Sequence, residues 1–179
     1  IHAESHWLPD FHAVPRSVLK QSKIVFLSYP HNPTTAVADM KFFKETTQNH
    51  VVVMGRKNYD SIPEKYRPLP NRENVVLTRN TSFTAENCKV FHSLEDCLDS
   101  YKSETDRTVF IIGGGEIYRL ALEANVVDEM YITHINHRYG ADTFFPEFNL
   151  KNWRIETVQE QLKDDRHEAS FSVLRYSRK

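Results

Sequence analysis

An apolar run at residues 109–112 passes straight into Gly113, Gly114 and Gly115, and then into a helix-forming stretch that opens with Glu116. Three of the chain's five glycines stand in this one place. A strand that turns at once into a helix needs residues without a Cβ, and such a turn leaves the backbone open to a close neighbour. The neighbour is either the protein itself, in a tight strand-to-helix turn, or a diphosphate met by the first N–H groups and positive end of the helix. The spacing is not GxGxxG, so the ordinary dinucleotide fingerprint is absent.

Similar apolar clusters recur at residues 24–27, 51–54, 74–77, 89–91 and 130–135, each of strand length. Several are apolar throughout, which predicts a sheet covered on both faces. Helical stretches lie between them: 39–48 with Met40 and Phe43 on one face, 93–102 opened by a Ser93 cap with Asp96, and 116–124. The alternation predicts an α/β fold with a central, mostly parallel sheet flanked by helices. After Pro146 the pattern changes to two alternating segments, 153–160 and 168–176, about the polar turn LKDDRH. These predict a C-terminal antiparallel edge hairpin.

With 179 residues, 40% hydrophobic and 12% aromatic, the chain supports one proper core and hence one domain. Twenty-three basic residues against 24 acidic ones give a formal charge of -1, so no global basic field exists to hold nucleic acid or an anionic membrane. Cys88 and Cys97 have neither metal-ligand spacing nor the density of a disulfide scaffold. No metal is expected, and a reducing compartment, the cytoplasm, is. No apolar run approaches the roughly 20 residues of a membrane span. The opening IHAESHWLPD lacks the basic and apolar regions of a signal peptide.

Two further segments carry charge where a ligand would account for it. In VVMGRKNYDSI a buried strand ends at Gly55 and a helix begins with Arg56 and Lys57. The helix dipole disfavours cations there, so a bound phosphate is their natural counter-charge. In LTRN, Thr78 and Arg79 end another strand, and Arg79 is a candidate partner for a 2′-phosphate, which would select NADPH over NADH. Taken singly, each of these cations also reads as ordinary solvated surface charge.

The blocks DMKFFKETT, VVMGRKNYDSIP, RPLPNRENVVLTRN, FIIGGGEIY, MYITHI and GADTFFPEF, in this order and spacing, resemble dihydrofolate reductase over about residues 39–179. The resemblance implies NADPH as cofactor, dihydrofolate as substrate, antifolates as inhibitors and a monomeric enzyme. Asp39 matches the acid that binds the pterin's amidine edge and supports protonation at N5, and Thr133 matches the threonine that hydrogen-bonds that acid. Met40, Phe43, Ile62 and Leu69 match the apolar walls around the pterin and aminobenzoyl rings. Arg72 matches the arginine that forks onto the glutamate α-carboxylate, and Ile112 and Tyr118 match residues flanking the nicotinamide. Gly55, Arg56, Lys57, Asn58, Thr78, Arg79 and the turn Gly113, Gly114, Gly115, Glu116, Ile117 match the cofactor's binding residues. A cis peptide bond between Gly113 and Gly114 is also implied. The chemistry of Asp39 is consistent on its own terms: apolar walls raise a carboxylate's pKa, and an amidinium-like partner restores its charged form. A helix cap ahead of MKFFKETT would use the same residue.

Ahead of Asp39 the resemblance breaks. The family has a first strand, a long mobile loop with a Trp-x-Leu-Pro segment, and then the acid; here IVFLS stands in for the strand and SYPHNPTTAVA for the lid. The stretch FLSYPHNPTTAVAD is similar to a segment of pyridoxal-phosphate aminotransferases, with Asn32 at the place of the asparagine that contacts the cofactor ring. Residues 10–43 are therefore expected to be aminotransferase-like, as in a chimera, with 1–22 an atypical extension and 23–179 the reductase-like domain. Two functions follow: a working reductase, or a folded chimera that binds NADPH and antifolates with little or no catalysis. The related reductase of riboflavin synthesis is a third, against which Asp39 and Arg72 together speak.

Overall fold

The computed structural model describes residues 22–26, 36–137, 145–164 and 169–179, with side chains from Met40 onward. Its strands are β1 (Ser22–Phe26), β2 (Val51–Gly55), β3 (Glu73–Leu77), β4 (Cys88–Phe91), β5 (Val109–Gly113), β6 (Glu129–Ile135), β7 (Trp153–Gln161) and β8 (Phe171–Arg178). Between them run the helices α1 (Ala36–Thr47), α2 (Arg56–Ser61), α3 (Leu94–Ser100) and α4 (Gly115–Glu123). The strands form one sheet in the order β4-β3-β2-β5-β1-β6-β8-β7. From β4 to β6 every pairing is parallel, and the β8 and β7 pairings are antiparallel. The expected architecture is thus met, with β1 in the middle of the sheet.

The apolar runs are buried on both sides because strand side chains alternate between faces. Val51, Val53, Val75, Leu77, Val109 and Ile111 pack on one face in a core shared with α3 and α4 residues. Val52, Met54 and Phe110 face the other way, where Phe43 of α1 covers them. Ser93 caps α3 as expected: its Oγ accepts from the Asp96 N–H at 3.0 Å and its hydroxyl donates to the Asp96 carboxylate at 2.7 Å.

The hairpin departs from its expected alternation. In β7 only Trp153 is buried, and the next five residues are exposed. The strand lies at the sheet's edge, and the register slips between Thr157 and Gln159, leaving Val158 as an extra residue. The edge position leaves Ile155 exposed within the regular register, and the bulge leaves Val158 exposed as the extra residue.

Opposite the strands' C-terminal ends, Glu73 at the start of β3 draws together β4, α3 and the following loop. Its carboxylate accepts from Lys89 Nζ at 2.6 Å, from Arg107 Nη1 at 2.7 Å and from the Tyr101 hydroxyl. Burial alone would raise its pKa, but the hydrogen bonds from Lys89, Tyr101 and Arg107 outweigh that and hold it at about 2. A carboxyl depressed in the folded state stabilises the fold above its unfolded pKa, and that contribution is lost as pH falls from about 4.5 towards 2. Glu73→Gln is therefore expected to cost on the order of 1–2 kcal/mol at pH 7, allowing for partial screening. Denaturant melts at pH 7 and pH 3 check this: the gap between wild type and variant should shrink at the lower pH, and a constant gap would contradict it.

Candidate active site

Parallel strands bring all their C-terminal ends to one edge of the sheet, where α/β folds bind ligands. Here β3, β2 and β5 are consecutive: Gly55 pairs with Leu77, and Met54 pairs with Gly113. The three segments singled out for phosphate binding, far apart in sequence, therefore end side by side. One irregularity lies at this edge. Pairing of β2 with β5 skips Ile112, which bulges and is only half-buried.

The glycine turn is closed on its protein side. Gly113 has φ +131°, and a Cβ there would lie 2.9 Å from Asn58 Nδ2. Asn58 cannot retreat freely, because Nδ2 donates to the Ile112 carbonyl at 3.2 Å. A Cβ on Gly55 would meet Ile117 Cγ1 at 3.1 Å, so the starts of α2 and α4 are pressed together. The Gly113–Gly114 peptide bond is cis, as the resemblance implied. At Gly114, by contrast, a Cβ would meet nothing within 4 Å. The turn thus offers open backbone at the N-terminus of α4, whose first N–H groups have no partners within the helix.

Two of the cations around this opening, Arg56 and Arg79, lie beside carboxylates. Arg56 Nε lies 3.5 Å from Asp60, and its guanidinium sits over the Phe83 ring at 5.7 Å. Lys57 is exposed. Arg79 is 79% exposed, and its Nη2 lies 3.7 Å from Glu116 Oε1. Thr78 shapes the strand end: its N–H donates to Phe91 O at 3.0 Å and its Oγ1 accepts from the Asn80 N–H at 3.2 Å.

On the other side of β5, Ile62, Leu69 and Ile112 pack with Tyr59 and Tyr131 against the buried cluster of Phe43, Val52, Met54 and Phe110. Met40, one helical turn before Phe43, is 37% exposed at the rim. Asp39 is the fourth residue of α1, so it lies inside the helix rather than at its cap. Thr133 is buried on β6, two residues along from Tyr131, whose ring lies 5.6 Å from Phe42 of α1. Alternation puts Thr133 on the face that α1 covers. The expected contact with the Asp39 carboxylate lies outside the described side chains.

Tyr118, expected beside the nicotinamide, lies behind the glycine turn. It is buried in the core of the opposite face, its ring 5.3 Å from that of Phe145 and tilted against it, and burial pushes its pKa up. Its hydroxyl reaches the turn, 3.5 Å from where a Gly113 Cβ would stand.

Arg72 is set by two residues that the sequence reading missed. Its Nε donates to Thr47 Oγ1 at 2.7 Å, Nη1 to Pro70 O at 2.7 Å and Nη2 to Lys44 O at 3.0 Å, while its guanidinium lies over Phe43 at 5.5 Å. Three of the guanidinium's roughly five N–H groups are spent on the protein, leaving one on each terminal nitrogen for a carboxylate. Thr47, fully buried, also donates to Phe43 O at 2.7 Å. Asn74 holds the loop ahead of Arg72: Oδ1 accepts from Leu69 N at 2.9 Å, and Nδ2 donates to Leu69 O at 2.8 Å and Arg72 O at 3.1 Å. An amide leading directly into the apolar run Val75–Leu77 was the available signal, since buried polar groups carry hydrogen bonds.

A cavity of about 430 Å³ opens elsewhere, between the end of α4 and residues 146–149, lined among others by Arg119, Asn125, Trp153 and Arg178. It contains none of the residues at the ends of β3, β2 and β5 described above. Among the described residues no group of three or more potential metal ligands occurs, and no helix is long and apolar enough to cross a membrane.

Comparison with known proteins agrees with this geometry. The family model "Dihydrofolate reductase" matches residues 30–178. Dihydrofolate reductases of Staphylococcus haemolyticus and Bacillus subtilis are 36% and 35% identical, covering 82% and 79% of this chain and 84% and 80% of their own. That of Staphylococcus aureus is 38% identical over 79% of this chain and 82% of its own. The aminotransferase-like reading of residues 10–43 finds no support in these matches, and the family match already begins at residue 30. Asn32, on which that reading turned, lies outside the described residues. From residue 30 almost to its end, the chain belongs to the dihydrofolate reductase family.

Proposed function

We propose that this protein reduces 7,8-dihydrofolate to 5,6,7,8-tetrahydrofolate with NADPH. The observation that carries the reading is the family match over residues 30–178, joined to a strand end with an open glycine turn on one side and an apolar cluster on the other. Open backbone at Gly114 beside Arg56, Lys57 and Arg79 suits a dinucleotide diphosphate and an added phosphate. Gly55, Asn58, Thr78, Gly113, Gly115 and Ile117 complete the residues that would hold it, and Glu116 lies beside them at the start of α4. When bound, NADPH supplies the hydride.

The chain's own residues hold the substrate and manage its proton. Asp39 takes the amidine edge of the pterin through paired hydrogen bonds and supports protonation at N5, with Thr133 orienting its carboxylate. Phe43, Ile62, Leu69 and Met40 wall the ring and displace water. Arg72, fixed by Thr47 and the last turn of α1, presents its remaining N–H fork to the glutamate α-carboxylate. The protein works as a cytoplasmic monomer whose ligands are small molecules.

Loss of NADPH absorbance on adding dihydrofolate tests the reading, and no loss with both ligands bound would overturn it. That second outcome would favour the binding-only alternative, whose replaced lid at 28–38 lies largely outside the described residues. Replacing Arg79 by Gln should weaken NADPH about tenfold, the low end for a charged hydrogen bond at so exposed a side chain, and leave NADH nearly unchanged. Equilibrium titration of both cofactors checks it; equal weakening would remove Arg79 from the phosphate site.

A further inference from the structure

Glu116 stands in the first turn of α4, beside the open backbone at Gly114. Its carboxylate is shared between two arginines. Arg119 grips it at both oxygens, Nη2 to Oε1 at 2.7 Å and Nε to Oε2 at 3.1 Å, and Arg79 reaches Oε1 at 3.7 Å. Arg119 is also committed to Glu123, at 2.6 and 2.7 Å. Two carboxylates therefore balance two guanidiniums before any ligand arrives, and only Arg79, at 79% exposure, is loosely held. An acidic residue here complements the helix dipole, which is reason enough for its presence in a bare protein. It has a second consequence once an anion approaches Arg79.

We propose that Glu116 competes with the cofactor's 2′-phosphate for Arg79 and so sets how strongly the enzyme prefers NADPH to NADH. A bound phosphate carries about -1.5 to -2 charge at pH 7, and it must take Arg79 from Glu116 and then sit near a carboxylate that cannot leave. Arg119 pins that carboxylate in place; hydrogen bonds from Arg119 keep it ionised by lowering its pKa. NADH has no such group, so its affinity does not feel the competition. The inference rests on the reading of Arg79 as the 2′-phosphate partner.

The test is equilibrium binding of NADPH and NADH to wild type, Glu116→Gln, Glu116→Asp and Arg79→Gln, followed by the quenching of protein fluorescence at low and high salt. Glu116→Gln should tighten NADPH about 3- to 10-fold at low salt, with the gain shrinking at high salt, while NADH changes less than about twofold. Glu116→Asp, which keeps the charge, should stay near wild type. A merely structural role would move both cofactors together or neither, and either result overturns the inference. If Arg79→Gln lowers the NADPH-to-NADH preference but Glu116→Gln does not raise it, Glu116 is not a competitor although Arg79 is correctly read. If Arg79→Gln leaves the preference unchanged, the reading of Arg79 fails, and the inference falls with it.

Discussion

Replacing Asp39 by Asn is expected to lower dihydrofolate turnover about 10²- to 10⁴-fold, the range that a positioned acid-base group contributes. The α1 backbone places Asp39 one turn ahead of Phe43, whose ring is buried against Val52, Met54 and Phe110. Asparagine has nearly the same size but neither carries the charge that pairs with an amidine edge nor supports its protonation. The loss should fall on kcat, with NADPH affinity unchanged within about twofold, because the cofactor's candidate residues lie on β2, β3, β5 and the helices that follow them. Steady-state kinetics with a parallel NADPH titration decide it. An equal loss of NADPH affinity would mean that the substitution disturbs the start of α1 and that the catalytic assignment is unsupported.

Gly113→Ala is expected to cost roughly 2–4 kcal/mol of stability, since it adds both backbone strain and a collision. At φ +131° an L side chain is strained whatever space is available, and here the space is already taken by Asn58 Nδ2 at 2.9 Å. If Asn58 moves aside it gives up its bond to the Ile112 carbonyl, which holds the bulged end of β5. A thermal midpoint roughly 5–15 °C lower should result for a chain of this size, together with weaker NADPH binding. Adding Asn58→Ala should relieve the collision but not the strain, so the double variant recovers only part of the loss. A Gly113→Ala protein as stable as wild type would show that the turn has more freedom than its geometry implies.

The elements themselves were largely written in local pattern. Short apolar runs of β-branched residues bounded by turn residues marked β2, β3, β5 and β6, the Ser93 cap marked α3, and the glycines after residue 112 marked the start of α4. These are decided by backbone propensity and by the period of burial, which a chain carries wherever it lies. The family's blocks named Phe43, Ile62 and Leu69, and the sheet brings these three together. What local pattern does not carry is any contact across the fold. The roles of Thr47 and Asn74 depend on Arg72 and Leu69 arriving beside them, and the exposure of β7 depends on its place at the sheet's edge and on a bulge.

The same distinction applies to charge. That Arg56, Lys57 and Arg79 follow strand ends is legible in the chain alone, because a cation's position along it is local information. Which of them meets a carboxylate is set by the packing of strands and helices. The parallel register sets β3, β2 and β5 side by side, and that places Glu116 of α4 within 3.7 Å of an arginine 37 positions earlier in the chain (116 − 79). Electrostatic energy depends on distance through space and on the surrounding dielectric, neither of which a linear order of residues contains.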